Sequence, residues 1–135
     1  MSWRRELAPW FALGAGLGDL GTGAALVAAP ELVLRLLALP PVAETVLLRF
    51  VGVFVASVGA AYFWPFLGES RARPGRLRAA LTLTAVPRLA VAGFLATAVA
   101  AGALAPPWLL VGGYDALVAI AQLRLRPQDV AGPLG

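Results

Sequence analysis

The stretch Leu13-Gly-Ala-Gly-Leu-Gly-Asp-Leu-Gly-Thr-Gly23 decides the fold of this chain. It is apolar and rich in glycine, and Asp19 near its middle is its only charged residue. With its apolar flanks the stretch reaches ~20 residues, the length that a helix needs to cross ~30 Å of hydrocarbon. A carboxylate at that depth is costly unless it is paired, protonated or hydrated. Asp19 therefore requires polar partners from other helices.

The composition of the whole chain is that of a membrane protein. Of its 135 residues, 60% are hydrophobic and 13% are charged, against roughly a quarter charged in soluble domains. The length allows one domain, residues 1–135. All the basic residues are arginine, and a formal net charge of +4 suits an anionic membrane leaflet better than a nucleic-acid groove. We expect the lipid bilayer as a partner and no nucleic acid.

Cysteine and histidine are both absent from the sequence. Without cysteine the chain cannot carry out thiol chemistry, and without histidine it lacks the usual ligands of membrane haems and of most zinc or copper sites. It also offers no paired nucleophile and base. We therefore predict no catalytic residue, no metal site and no resident cofactor, with a bound quinone or lipid left open. An enzyme that uses buried acids and arginines as acid and base stays an alternative.

Hydropathy predicts an all-α integral membrane protein, an up-down bundle of four transmembrane helices. Trp10 suits the interface at the start of the first span, and Tyr62 and Trp64 mark the far interface of the second. We expect the first span to remain uncleaved, because Asp19 interrupts its apolar region. Pro87 removes a backbone donor inside the third span, which predicts a kink. The spans cover about residues 9–29, 42–67, 77–104 and 108–123.

Two further segments are assigned by length and composition. A short helix at the membrane interface is predicted over about residues 30–39, because ten residues are too few to span, and an irregular loop is the alternative. A short disordered tail is predicted over residues 127–135.

The arginines indicate how the bundle is oriented. With four spans, Arg4 and Arg5, the four arginines of residues 68–78, and Arg124 and Arg126 all fall on one side. The positive-inside rule places that side, and both termini, in the cytoplasm. We therefore expect a multi-pass protein of the bacterial inner membrane.

Small residues at helical spacing predict where the helices pack, because they let two backbones approach closely in a bilayer. The residues predicted to pack in this way are Gly14 and Gly18 in the first span, Gly52 and Ala56 in the second, and Ala92 and Ala96 in the third.

Four charged residues lie deep inside the predicted spans, away from the span ends. Counting at 1.5 Å per residue, Asp19 and Arg88 lie roughly 14 to 15 Å from the cytoplasmic interface. Arg49 and Asp115 lie about 10 Å from the outer interface by the same count. We therefore predict that Asp19 pairs with Arg88 and that Asp115 pairs with Arg49, although the length of arginine allows the partners to be exchanged.

The four charged residues allow three interpretations. They fix which helices meet and in what register, or they line a polar pocket for a lipophilic ligand such as a quinone, lipid or isoprenoid. In the third interpretation Asp19 binds a cation or proton in a small proton-coupled transporter. We favour a non-catalytic protein, either a packing subunit that associates with other membrane subunits or with its own copies, or a binder of a hydrophobic small molecule.

Motifs along nearly the whole chain resemble a known group of proteins. They are Gly-x-Gly-Asp-Leu-Gly at 16–21, Ala-Pro-Glu-Leu-Val-x-Arg-Leu-Leu-Ala-Leu-Pro at 29–40, Leu-Arg-Phe-Val-Gly-Val-Phe at 48–54, Pro-Arg-Leu at 87–89 and Gly-Tyr-Asp-Ala-Leu at 113–117. The chain resembles the small four-helix bacterial membrane proteins that are DoxX-like in the broad sense. The resemblance implies the four-helix architecture, and as an alternative function a quinone-linked or lipid-modifying enzyme or an accessory role. It assigns no catalytic residue.

Overall fold

The computed structural model describes residues 2–68 and 70–127. Within them the chain forms only helices: α1 (Ser2–Ala28), α2 (Pro30–Leu36), α3 (Thr45–Ala61), a 3-10 turn (Trp64–Phe66), α4 (Pro74–Ala100) and α5 (Trp108–Leu125). Four of the helical segments are long and apolar enough to cross a membrane, namely α1, α3 with the turn that follows it, α4 and α5. The predicted all-α class with four such helices is confirmed.

The helices differ from the predicted spans mainly at their ends. α1 begins at Ser2, seven residues before the predicted start, and Pro9 lies inside it. Hydropathy had marked only the apolar part of this helix. α4 begins at Pro74, where a proline suits the first helical turn. It ends at Ala100, and Gly102 beyond it adopts a positive φ of 73°, a conformation that glycine takes without strain.

The short helix after α1 is present over Pro30–Leu36, and Leu37 and Ala38 follow it in a turn. The predicted disordered tail lies outside the described residues, apart from Pro127.

Two helix pairs make most of the packing contacts, α1 with α3 and α4 with α5. Glycines bring α1 and α3 together, because a Cβ at Gly23 would lie 2.5 Å from the Gly52 carbonyl oxygen and one at Gly59 would lie 2.7 Å from the Leu20 nitrogen. Ala56 lies at the same contact, with its nitrogen 2.6 Å from the Cβ position of Gly23. Gly52 and Ala56 therefore lie where the sequence predicted helix packing.

The two α1 residues predicted to pack against another helix, Gly14 and Gly18, do not lie at this contact. Gly14 and Gly18 are exposed, and a Cβ at Gly14 would meet nothing described within 4 Å. Gly16 and Gly23 make the contact instead, since a spacing of seven residues returns to the same helix face. Gly14 and Gly18 are each two positions from Gly16, which places them about 200° around the helix.

The α4–α5 pair uses small residues at fewer points. Ala92 meets Gly112 of α5, whose Cβ position lies 3.6 Å from the Ala92 Cα. Ala96 is exposed. The predicted stripe on α4 therefore reaches α5 at Ala92.

Apolar clusters close the two ends of the bundle. The end that holds Ala8 of α1 also holds Leu125 of α5, so both ends of the described chain lie on one side. The buried residues of this first end cluster are Ala8, Ala12, Tyr62, Leu77 and Leu81. The second end cluster contains Leu34, Leu39 and Leu48, packed against Val42, Trp108 and Val111. The middle of the bundle lies between them and contains the charged residues.

Candidate functional site

Arg88 of α4 joins three other helical segments through its guanidinium group. Its Nη2 donates to Asp19 Oδ2 of α1 and its Nη1 donates to Asp115 Oδ1 of α5, each over 2.5 Å. Its Nε donates to the hydroxyl of Tyr62, just after α3, over 3.2 Å. Asp19, Arg88 and Tyr62 are buried, and Asp115 is half-buried. We call these four residues the Arg88 cluster.

The close contact between α1 and α3 positions two members of the cluster. A Cβ at Gly59 would lie 2.9 Å from the Asp19 Cβ, so the missing side chain there lets α3 pass beside Asp19. A Cβ at Gly16 would lie 2.9 Å from the Tyr62 Cβ, which fixes the end of α3 against α1 in the same way. The glycines thus bring Asp19 and Tyr62 to the same side of Arg88.

Two of the four charged residues pair as predicted, and two do not. Asp19 pairs with Arg88, as the count of depth indicated. Asp115 also pairs with Arg88, so the predicted pair of Asp115 with Arg49 is wrong. Arg49 is exposed, and its Nη1 donates to the carbonyl of Val27 in the last turn of α1. Carbonyls at a helix C-terminus carry partial negative charge and attract cations.

Tyr62 belongs to the cluster although its position near the end of a span predicts a place at the membrane interface. Tyr62 is fully buried and lies in the first end cluster, with its hydroxyl on Arg88. Its spacing carried the signal, since Tyr62 follows Gly59 by three residues and therefore shares the face of α3 that meets α1.

A second polar contact lies between α4 and α5, near the Arg88 cluster. The Nε2 of Gln122 donates to Thr84 Oγ1 over 2.6 Å and to the Leu81 carbonyl over 3.2 Å. Thr84 in turn donates to the Ala80 carbonyl over 2.7 Å. Gln122 is fully buried, and its Oε1 has no partner among the described residues. Thr84 precedes Arg88 by one helical turn, so polar contacts continue from the cluster toward the first end cluster.

A cavity of about 370 Å³ adjoins the Arg88 cluster. Its walls are mostly apolar side chains from all five helices, such as Leu26, Val55 and Val91. Asp19, Arg88 and Asp115 all line it and supply its charged surface. Leu34, Leu39 and Leu48 of the second end cluster also line the cavity, so this cluster closes the cavity at one end. Its volume falls in the range of small-molecule sites, about 300 to 1,000 Å³.

The cavity opens sideways, toward the surface that a membrane would cover. Val51 and Phe54 of α3 and Phe94 of α4 line it and are also 44%, 49% and 68% exposed. α3 and α4 make few contacts with each other. An opening of the cavity beside these exposed apolar side chains would face lipid rather than the aqueous phase.

Four helices that are long and apolar enough to span indicate a multi-pass membrane protein. Within residues 2–68 and 70–127, no group of three or more acidic, histidine or cysteine side chains gathers as a metal site would require. Comparison with protein-family models, with curated proteins and with solved structures finds no match to this chain.

Proposed function

We propose that this protein binds a lipophilic small molecule in its central cavity, with the polar head group of that molecule against the Arg88 cluster. The observation that carries the proposal is the position of the charges. Asp19, Arg88 and Asp115 form one network, and all three line an apolar cavity of about 370 Å³. An apolar space with a few polar groups at one place is the usual form of a small-molecule site.

The same position of the charges argues against a purely structural role. Charges that only fix the register of helices gain most when their neighbours enclose them completely, because buried ions need every hydrogen bond satisfied. Asp115 instead keeps 17% of its side chain exposed, and it lines the cavity together with Asp19. Polar groups inside membrane spans are functional candidates by default.

Entry from the membrane follows from the sideways opening. Val51, Phe54 and Phe94 surround it with apolar surface, so a lipophilic molecule can pass from the hydrocarbon into the cavity without crossing water. The head group then meets the Arg88 cluster at a depth that we place near the middle of the membrane. An apolar cavity with one charged cluster is sufficient for binding, and binding alone requires no catalytic residue.

The proposal includes the location of the protein. We place it in the bacterial inner membrane with both termini in the cytoplasm, because the arginines outside the spans concentrate at the end that holds both termini. The resemblance to DoxX-like proteins supports the same architecture. Lipids, quinones and isoprenoids are the lipophilic molecules that such a membrane offers.

Native mass spectrometry of gently extracted protein tests the proposal. We expect a lipophilic molecule to remain bound to the wild-type protein. Val91→Trp, which fills the cavity from α4, should abolish this binding. Val86→Trp is the matched control, because Val86 lies on the same helix but is 63% exposed and does not line the cavity. Thermal unfolding and gel filtration establish that both variants are folded.

Two results would contradict the proposal. One is a bound molecule that both tryptophan variants retain equally, since that molecule would lie outside the cavity. The other is an empty wild-type protein that carries stoichiometric protein partners, which would support a packing subunit.

A further inference from the structure

The Arg88 cluster contains one more acid than base. Asp19 and Asp115 both pair with Arg88, and no other basic residue lines the cavity in the described part of the chain. Arg49, the other arginine deep inside the predicted spans, lies outside the cavity and contacts the end of α1. With both carboxylates ionised, the charged surface of the cavity has a net charge of −1.

We infer that the lipophilic ligand carries a cationic head group, an amine or a quaternary ammonium; this rests on the proposed function and names the ligand class. An excess negative charge inside a membrane span is costly. A cationic head group in the cavity would neutralise the cluster without any change in its contacts. The ligand would thereby supply the charge that Arg49 does not.

The hydrogen bonds of the cluster favour a cation over an anion. Each of the three guanidinium nitrogens of Arg88 already donates to Asp19, Asp115 or Tyr62. Nη1 and Nη2 each keep one further N–H, but a phosphate or carboxylate head group that accepted it would lie beside two carboxylates and be repelled by them. Each carboxylate, in contrast, accepts from Arg88 through one oxygen, and the structure gives its second oxygen no donor from the described residues.

The aromatic residues of the cavity point to the same ligand class. Phe54, Phe94, Trp108 and Tyr114 all line it. The Tyr114 ring already makes a cation–π contact, because the Arg88 guanidinium carbon lies 5.9 Å from the centroid of the ring. Faces of aromatic rings attract cations, and quaternary ammonium groups are bound in this way. Acids and aromatic rings together around an apolar space are the surroundings that an alkylammonium ion needs.

Three probes of equal chain length test the inference on the purified full chain in non-ionic detergent. They are dodecyltrimethylammonium, dodecanol and dodecanoate, each titrated by calorimetry below the concentration at which it self-associates. We expect the ammonium probe to bind at least tenfold more tightly than either of the others. Dodecanol or dodecanoate binding as tightly as the ammonium probe would overturn the inference and leave the proposed function standing. No binding of any probe would overturn the proposed function as well.

A charge variant then assigns the preference to the cluster. Asp115→Asn keeps the shape of the side chain and makes the cluster neutral, so the preference for the ammonium probe should fall at least tenfold. Glu44→Gln is the control, because it removes the same charge from an exposed residue outside the cavity and should keep the preference. Thermal unfolding establishes that both variants fold. An unchanged preference in Asp115→Asn would overturn the inference.

Discussion

Replacing Arg88 by methionine should destabilise the protein strongly, because one guanidinium pairs with two carboxylates, the buried Asp19 and the half-buried Asp115. The variant removes both donors that lie 2.5 Å from Asp19 and Asp115, and it removes the bond to the Tyr62 hydroxyl. Leaving a buried charge without its partner costs about 3–5 kcal/mol. We therefore expect Arg88→Met to lower the free energy of unfolding by about that amount.

The number of partners makes the prediction more specific. Removing Asp19 and Arg88 together, as in Asp19→Ala with Arg88→Leu, should recover only part of the stability, because Asp115 stays behind without a donor. The triple variant Asp19→Asn, Arg88→Met and Asp115→Asn should recover most of it, since no unpaired charge remains. The free energy of unfolding of the triple variant should therefore differ from the value that the single and pairwise effects predict.

Reversible unfolding in mixed micelles, with sodium dodecyl sulfate as denaturant and helix content as the signal, measures these differences. Arg49→Met is the matched control, because Arg49 is exposed and donates to one carbonyl at a helix end. Arg49→Met should lower the free energy of unfolding much less than Arg88→Met does. The reasoning is refuted if Arg88→Met loses as little as Arg49→Met, or if the losses of the single variants simply add in the triple variant.

Three further predictions concern the packing and the orientation. Gly59→Ala should lower stability by about 1–3 kcal/mol in the same unfolding assay, because its Cβ would lie 2.7 Å from a backbone nitrogen, whereas Gly14→Ala has free space and should be neutral or stabilising. Thr84→Val should lower the free energy of unfolding by about 1–3 kcal/mol, because it removes a hydrogen-bond partner of Gln122. Adding Gln122→Met should recover most of that loss. A cysteine at position 72 should react with membrane-impermeant maleimide only in inverted vesicles; reaction in intact cells would contradict the proposed orientation.

The number of helices and one ion pair could be predicted from the sequence. Spans follow from apolar length, which is a property of each segment alone, so hydropathy was sufficient. The pair of Asp19 with Arg88 followed because both residues lie near the middle of long helices. The predicted positions of the helix ends were less accurate. For example, α1 begins at Ser2 and continues through Pro9.

The partner of Asp115 could not be predicted from depth. Depth gives one coordinate of a side chain, whereas a contact also requires the correct helix face and two adjacent helices. By residue count Arg49 has a depth like that of Asp115, but in the structure it donates to Val27 at the end of α1. In addition, α3 packs on α1, and Asp115 lies on α5, which packs on α4. The adjacency of helices depends on glycine contacts such as that of Gly23 with Gly52. Gly23 follows Gly16 by seven residues, a spacing that the sequence shows, but the prediction rested on the four-residue spacing of Gly14 and Gly18.

The burial of Tyr62 also depended on tertiary packing. A tyrosine near the end of a span fits the aromatic belt of the interface equally well. Only the approach of α1 at Gly16 and of α4 at Leu81 encloses it. The cavity lies where the α1–α3 pair and the α4–α5 pair are separated. The distance between two helix pairs cannot be predicted from a local sequence pattern.

The central claim is that a lipophilic molecule occupies the cavity beside the Arg88 cluster, and photolabelling tests it most directly. A long-chain alkyl diazirine would be offered to the protein in bicelles, once with an ammonium head group and once with a hydroxyl head group. We expect at least one probe to label the cavity walls around Phe54 and Val91, and we expect Val91→Trp to abolish this labelling while Val86→Trp preserves it. Equal labelling of the exposed surface at Leu83 and Leu110, unchanged by Val91→Trp, would contradict the claim.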